Sequence, residues 1–332
     1  MFLESRLFRF WLIAAAVVWL ILFRLFNDLD FFLGHWFYPA TMVLGAFVAG
    51  ATPEGGGAVA FPVLNIFLNV DRTLARDFAL MIQSVGMTSA SLFILTNPKT
   101  DRSAFRPLLW WLPIAFAGFV VGMHTLQGIE IHIIQALFLS LIASFTVVYL
   151  FSTHRGSAGR YAPKNLRDHL FTAFALFLGG MSTSLFGSGV DILTYTLLVT
   201  HFTMKEKLST EMSVIMMAGL SLLAFAYRGL YQGSLTHYQI QTWLCAFPVV
   251  LIMAPLGAHV LRKIHTELML RAIMVLNVAQ LVYFNLHNPS RAKLYWSLGF
   301  TVLLSSIFFF GMAELARRKT LNLLDPIEAG SP

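Results

Sequence analysis

The feature that most constrains this chain is a series of apolar runs long enough to cross a bilayer. They fall at about 10–26, 78–96, 107–125, 131–151, 210–228, 240–260, 271–286 and 293–312. About 20 residues at 1.5 Å rise cover the hydrocarbon layer, where only helices or closed barrels satisfy their own backbone. With 57% hydrophobic and only 12% charged residues, against roughly 25% charged in a soluble domain, lipid must solvate most of the surface. A soluble enzyme, a secreted disulfide scaffold and a disordered chain are excluded. A single cysteine, Cys245, rules out an internal disulfide and a cysteine-based metal cage. The net charge of +7 does not point to nucleic acid, because the charges sit in short loops between apolar runs. The first run has no small-residue cleavage site and is followed at once by Asn27-Asp28-Leu29-Asp30, so it reads as a retained helix.

Two more regions, 36–70 and 169–203, are apolar but interrupted, the first at 53–57 and the second at 187–191. Each is two short spans or a re-entrant hairpin. Lys and Arg counts set the topology. The stretches 1–10, 97–106, 152–169, 203–209, 261–271 and 313–332 hold 17 of them, and 27–35, 71–77, 126–130, 228–239 and 287–293 hold 5. The positive-inside rule puts the first set, with both termini, in the cytoplasm. The sides alternate correctly only if each interrupted region leaves on the side it entered. The expectation is a multi-pass protein of the cell (inner) membrane.

Shifting the chain by 134 residues aligns Gly45 with Gly179, Gly55 with Gly189, Phe61 with Tyr195 and Asp77 with Glu211. At 135, Pro113, Gly122 and His124 meet Pro248, Gly257 and His259. The first copy starts its interrupted segment outside and the second starts inside, so the sequence reads as inverted repeats, a transporter architecture with a midplane site where the breaks meet. The expected fold is an all-α polytopic membrane protein of two inverted repeats, each a broken or re-entrant hairpin plus three spanning helices. One extra helix lies at each end. The segments are 1–35 (N-terminal membrane helix), 36–151 (repeat 1), 152–168 (cytoplasmic basic loop), 169–286 (repeat 2) and 287–332 (C-terminal membrane helix and cytoplasmic tail).

The first break reads Thr52-Pro53-Glu54-Gly55-Gly56-Gly57 and the second Phe186-Gly187-Ser188-Gly189-Val190-Asp191. Successive glycines cost a membrane helix about 1 kcal/mol each relative to alanine. They suit an unwound backbone whose N–H groups, with the positive end of the next half-helix, receive an oxyanion. Close helix packing is the competing explanation. On the binding reading, Gly56→Val blocks the site, whereas Gly50→Ala is milder. Ser188 and Thr194 add hydroxyl donors, and Gln83 and Ser84, one helix away, either line the site or bond between helices.

At these residues the chain resembles the TauE/SafE family of sulfite-exporter-like anion transporters. The resemblance rests on Gly55-Gly56-Gly57 with Pro62-Val63-Leu64, on Phe186-Gly187-Ser188-Gly189, and on Gln83-Ser84-Val85-Gly86-Met87. It implies a carrier that moves sulfite, sulfonates or related sulfur oxyanions, usually outward. Glu54, Val190, Asp191 and Thr196 depart from the family pattern.

Glu54 and Asp191 place one acid in each break, where a carboxylate is a functional hypothesis by default. Beside an anion it repels unless protonated, which makes both proton-coupling candidates. Alternatively each caps a half-helix N-terminus. Asp77 and Glu211 read as helix-dipole compensation, Arg72 and Arg76 as loop cations steering anions, and Arg228 as snorkelling to the interface. The substrate-binding set is therefore Glu54, Gly55, Gly56, Gly57, Gln83, Ser84, Gly187, Ser188, Gly189 and Thr194. No catalytic residue, metal site, cofactor or nucleic-acid partner is expected; the partners are a small anion and membrane lipid. The rival readings are a membrane-embedded enzyme using Glu54 and Asp191 as an acid/base pair on a lipid-linked substrate, and a scaffold protein.

Overall fold

The computed structural model describes residues 5–98, 100–151, 156–263, 266–287 and 289–328. Parts of the segments 1–35, 152–168 and 287–332, at residues 1–4, 152–155, 288 and 329–332, lie outside the described residues. The helices are α1 (Arg6–Phe26), α2 (Leu29–Gly34), α3 (Phe37–Ala51), α4 (Gly57–Pro62), α5 (Arg72–Leu95), α6 (Leu108–Thr125), α7 (Ile131–Phe151), α8 (Leu166–Phe186), α9 (Val190–Thr196), α10 (Glu206–Ala226), α11 (His237–Leu261), α12 (Thr266–Leu286) and α13 (Arg291–Glu328). No strand occurs among the described residues. Eight of these segments are long and apolar enough to cross a membrane. Leu166–Phe186 joins that set although the sequence reading treats it as part of an interrupted region. Its Gly179-Gly180 pair stays helical, pressed against Val190 and against the Ala115 carbonyl of α6. The described apolar part of α12, Arg271–Leu286, falls short of the set.

The element order α3–α4–α5–α6–α7 recurs as α8–α9–α10–α11–α12. The likeness extends to single hydrogen bonds. After α4 the chain makes a wide turn over Val63–Phe67, closed by Leu68 N–H to Val63 O and Val70 N–H to Leu64 O. After α9 the same turn spans Leu197–His201, closed by Phe202 N–H to Leu197 O and Met204 N–H to Leu198 O. Asn69 and Thr203, 134 residues apart, both take the left-handed conformation at the exit (φ 53° and 51°). The copies also exchange partners, since α3 packs on α11 and α8 packs on α6.

Glycines set these two crossings. A Cβ at Gly50 would collide with the Ala254 carbonyl and one at Gly257 with that of Phe47; in the other pair, Gly118 meets the Phe177 carbonyl and Gly180 that of Ala115. Small residues allow such backbone contact between membrane helices. The expectation that Gly50→Ala is mild is therefore wrong, because Gly50 lies at a crossing with no room for a methyl.

Both broken segments are hairpins. His201, at the end of the second, bonds Asp168 at its start (2.9 Å). The Tyr38 ring at the start of α3 lies tilted against Phe78 in α5, the helix that follows the first (ring centroids 4.8 Å). The connecting loops gather at two ends. At one end Arg72 donates to Ile129 O and Gln127 O, Asp77 pairs with Arg228, and Asn27 donates to Gln241 O. At the other, Arg160 pairs with Asp101, Arg262 reaches Thr100 and Glu211, and Lys205 N–H donates to Ala158 O. The Ser103 hydroxyl and backbone N–H, with the nearby Arg160, hold the Asp101 carboxyl below its ordinary range. These groupings match the two sets of loops separated by the Lys and Arg count.

Gly128 and Gly159 lie one in each loop set, and a Cβ at either meets nothing within 4 Å. In a Cys245→Ser background, an impermeant maleimide on intact cells should label Gly128→Cys, and should label Gly159→Cys only after permeabilisation. Equal labelling of both in intact cells contradicts this topology.

Candidate functional site

The two breaks meet in the protein interior. After Thr52, whose hydroxyl returns to Val48 O (2.9 Å), the chain leaves the helix at Pro53. Gly55 then adopts φ +69°, a region where a Cβ is strained. A Cβ there would strike Asp191 Oδ2 and lie 2.9 Å from Ser188 Oγ and 3.0 Å from Gln83 Oε1. A Cβ on Gly57 would stand 2.5 Å from Ser188 Cβ, whereas one on Gly56 meets only ordinary contacts at 3.5 Å with Ala49 and Gln83. Gly55 and Gly57 are thus the glycines the junction requires, and Gly56 is the more tolerant. The N–H groups of Gly55, Gly56, Gly57 and Ala58 make no well-formed hydrogen bond among the described residues. They lie in or just after a turn over residues 53–56, so any bond they make there is a weak one, as at a half-helix start.

The second break closes differently. Gly187 ends α8 in the left-handed conformation (φ +75°), its N–H on Thr183 O, and Gly189 follows at φ +136°. The carboxylate of Asp191 accepts from Gly189 N–H (2.9 Å) and Ile192 N–H (3.1 Å), and the Ser188 hydroxyl lies 3.1 Å from its Oδ2. Thr183 accepts from Val190 N–H (3.1 Å). Asp191 therefore caps α9 with its own charge, an anion held by backbone amides at a helix start.

One hydrogen bond ties the breaks directly, and Gln83 of α5 holds the second. Ser188 Oγ donates to Glu54 O (3.0 Å), and Gln83 Nε2 donates to Gly187 O (2.6 Å) and Ala79 O (2.9 Å). Those two bonds fix the orientation of the Gln83 amide, so its Oε1, buried and without a partner, faces Gly55. Thr194 is also wholly buried with an unpartnered hydroxyl. Ser84 donates to Met81 O on its own helix (2.7 Å) and makes no bond to the junction.

Glu54 contributes its carbonyl to the junction and sends its carboxyl elsewhere. Thr146 Oγ lies 2.6 Å from Oε1, and Asn277 Nδ2 donates to Oε1 and Oε2, both at 2.9 Å. The Glu54 carboxyl thus ends between α7 and α12 while that of Asp191 caps α9, so the two do not share a common set of partners. Thr146, Asn277 and Thr183 were not legible as site residues. The one signal was a lone amide or hydroxyl in an apolar run, which interhelical bonding explains equally well.

Other charges are also placed differently from expectation. Arg72 and Arg76 lie in the first turns of α5, and Arg76 is buried with Asp77. Arg228 is buried on that same carboxylate (2.7 Å), so it does not snorkel. Asp77 is a shared ion-pair partner, and Glu211 pairs with Arg262 (2.9 Å). An apolar cavity of about 490 Å³ between α5, α6 and α10, walled by Leu92, Leu112 and Leu222, contains none of the predicted site residues. Among the described residues no group of three or more His, Cys, Asp or Glu could hold a metal.

The family model of the sulfite exporter TauE/SafE matches residues 38–284, which cover both hairpins and the helices between and after them. The chain belongs to the TauE/SafE family. No curated protein and no solved structure matched it. TauE/SafE proteins are sulfite and anion exporters. Membership together with eight apolar helices makes this a multi-pass membrane protein of a transporter family. The TauE/SafE match ends before α13 and starts after α1, so the shared unit is the duplicated core.

The junction geometry ranks its glycines. Gly55→Ala should abolish anion flux in proteoliposomes and lower the melting temperature, because it adds a left-handed strain of roughly 1–2 kcal/mol to a collision with Asp191. Gly56→Ala should stay within about twofold of wild type, since ordinary van der Waals contact costs little. Gly56→Val, with two further methyls against Ala49 and Gln83, should be impaired. The reverse order of Gly55→Ala and Gly56→Ala would show that the backbone here is not held as described.

Proposed function

We propose that this protein is a secondary carrier that exports a small sulfur-containing oxyanion of the sulfite or organosulfonate class. Transport proceeds by alternating access around the junction of the breaks. The observation that carries this reading is the meeting of two broken hairpins, one from each copy, at one buried junction in a chain of the sulfite exporter family. The amides at Gly55, Gly56, Gly57 and Ala58 and the Thr194 hydroxyl supply neutral donors to an oxyanion, reinforced by the positive end of α4. The first break receives the anion, and the second, already capped by Asp191, forms its far wall. The exchange of partners between copies and the bias of Lys and Arg support an inverted pair that rocks around this point. Both termini and the basic loops then face the cytoplasm.

Glu54 is the group we assign to proton coupling. Thr146 Oγ lies 2.6 Å from both Glu54 Oε1 and Ile142 O. A hydroxyl has one hydrogen and a carbonyl has none. If the hydroxyl serves Ile142, a proton on Glu54 would make the short contact to Oε1 a second hydrogen bond. A neutral Glu54 leaves the adjacent amides free for an anion, whereas the ionised form opposes one. Asp191, satisfied by N–H donors, acts as a cap.

Purified protein in sealed vesicles loaded with sulfite or 2-aminoethanesulfonate should release the anion faster than protein-free vesicles. Absence of flux for the whole sulfur oxyanion class would overturn the proposal. Raising the pH removes the Glu54 proton, so wild-type anion affinity should fall as pH rises through that titration. Glu54→Gln should flatten this profile and lose flux driven by an imposed proton gradient while keeping anion-for-anion exchange. Asp191→Asn should keep proton-driven flux, because its amide oxygen still accepts from Gly189 and Ile192.

A further inference from the structure

We propose that the buried cluster of Arg76, Asp77 and Arg228 is a second anion-binding site, at which the oxyanion pauses between the junction and the external face. This rests on the carrier reading above only for the identity of the anion and the direction it takes.

The cluster holds two guanidinium groups against one carboxylate. Arg76, Asp77 and Arg228 are 2%, 1% and 8% exposed. Asp77 Oδ1 accepts from Arg76 Nε (2.9 Å) and Arg228 Nε (3.1 Å) and pairs with Arg76 Nη2 at 2.8 Å, and Oδ2 accepts from Arg228 Nη2 (2.7 Å) and Gln239 Nε2 (3.0 Å). The carboxylate is saturated. Each guanidinium has five N–H donors. Arg76 spends its third on Gln127 Oε1 and Arg228 spends its third on Gln232 Oε1, both at 2.6 Å. Two N–H donors on each arginine therefore have no acceptor among the described residues. Asp77 is the acid whose charge acts on Arg76, while Arg72 adds a further cation. A buried positive charge without a counter-charge is unfavourable. An ion network built for stability would balance its charges, and this one has two cations to one anion.

Its position links it to the junction. Arg76 precedes Gln83 by seven residues on α5, about 10 Å at 1.5 Å per residue. The Arg76 carbonyl lies 2.7 Å from the place a Cβ on Gly187 would take. Gln127, which receives Arg76, donates in turn to Gly122 O (3.1 Å) and to Ser184 O (3.3 Å), one turn before the second break. Arginine forks present paired N–H donors that match an oxyanion.

The test is the binding stoichiometry of radiolabelled sulfite on the full-length purified protein, with sulfate and chloride as competitors. Wild type should bind about two anions per chain by this assignment of two donor sets. Arg228→Gln should bind about one, with the lost site's affinity down at least about tenfold, and Arg228→Lys should restore binding in part. Gly55→Ala should remove the junction site and leave the arginine site. Asp77→Asn removes the competing charge, so the affinity of this site should rise about fivefold or more. Stoichiometry unchanged in Arg228→Gln, or, should that variant fail to fold, unchanged affinity in Asp77→Asn, overturns the proposal. Arg228-dependent binding in a protein that shows no sulfite flux would retain the anion site and discard the carrier reading.

Discussion

A backbone that breaks at membrane depth must find its hydrogen-bond partners inside the protein, since lipid offers none. The rest of this structure follows from how that requirement is met. The second break is completed mostly by its own residues and by α5, and one bond joins it to the first. Ser188 serves the carbonyl of Glu54, Gln83 serves that of Gly187, and Asp191 and Thr183 take the amides of the second half-helix. The copies must therefore sit face to face, with arms crossing as α3 on α11 and α8 on α6, where glycines let the backbones touch. Few bonds cross directly between the breaks, so a small relative movement of the copies can exchange them for bonds to a ligand.

The two breaks are unequal in a way that gives the junction a direction. The second carries its own anion in Asp191, bound to backbone amides at the start of α9. The first leaves the amides before α4 without a carboxylate and turns its own carboxyl away, towards Thr146 and Asn277. A mobile oxyanion would occupy at the first break the place that Asp191 occupies at the second. The two acidic residues of the breaks, Glu54 and Asp191, thus meet different partners.

Period and punctuation made much of this fold legible. The apolar runs marked the helices, and Lys and Arg counts sorted the loops into the two groups that the structure gathers at opposite ends. Glycines at a 134-residue offset located the breaks and the repeat. What stayed hidden was the direction of side chains. Gly50 and Gly56 look alike in the sequence, yet one lies against a carbonyl across a helix crossing and the other has room for a methyl. The run Arg76-Asp77 at the start of α5 reads as surface charge, and only the packing of α10 brings Arg228 onto the same carboxylate. Thr146 and Asn277 acquire meaning only because the fold delivers Glu54 between them. Such information lies in contacts between residues 92 and 223 positions apart, beyond any local pattern.

The central claim is that the transported oxyanion binds where the two broken hairpins meet, on the amides that open α4. Selenite matches sulfite in shape and charge, and its selenium can be located by anomalous scattering in crystals of the native protein. Soaked crystals should show selenium within hydrogen-bond reach of the Gly56 and Gly57 amides, on the side of Thr194 and Gln83. Selenium found only in the cavity between α5, α6 and α10, or at the surface arginines, with the junction empty at saturating selenite, would contradict the account.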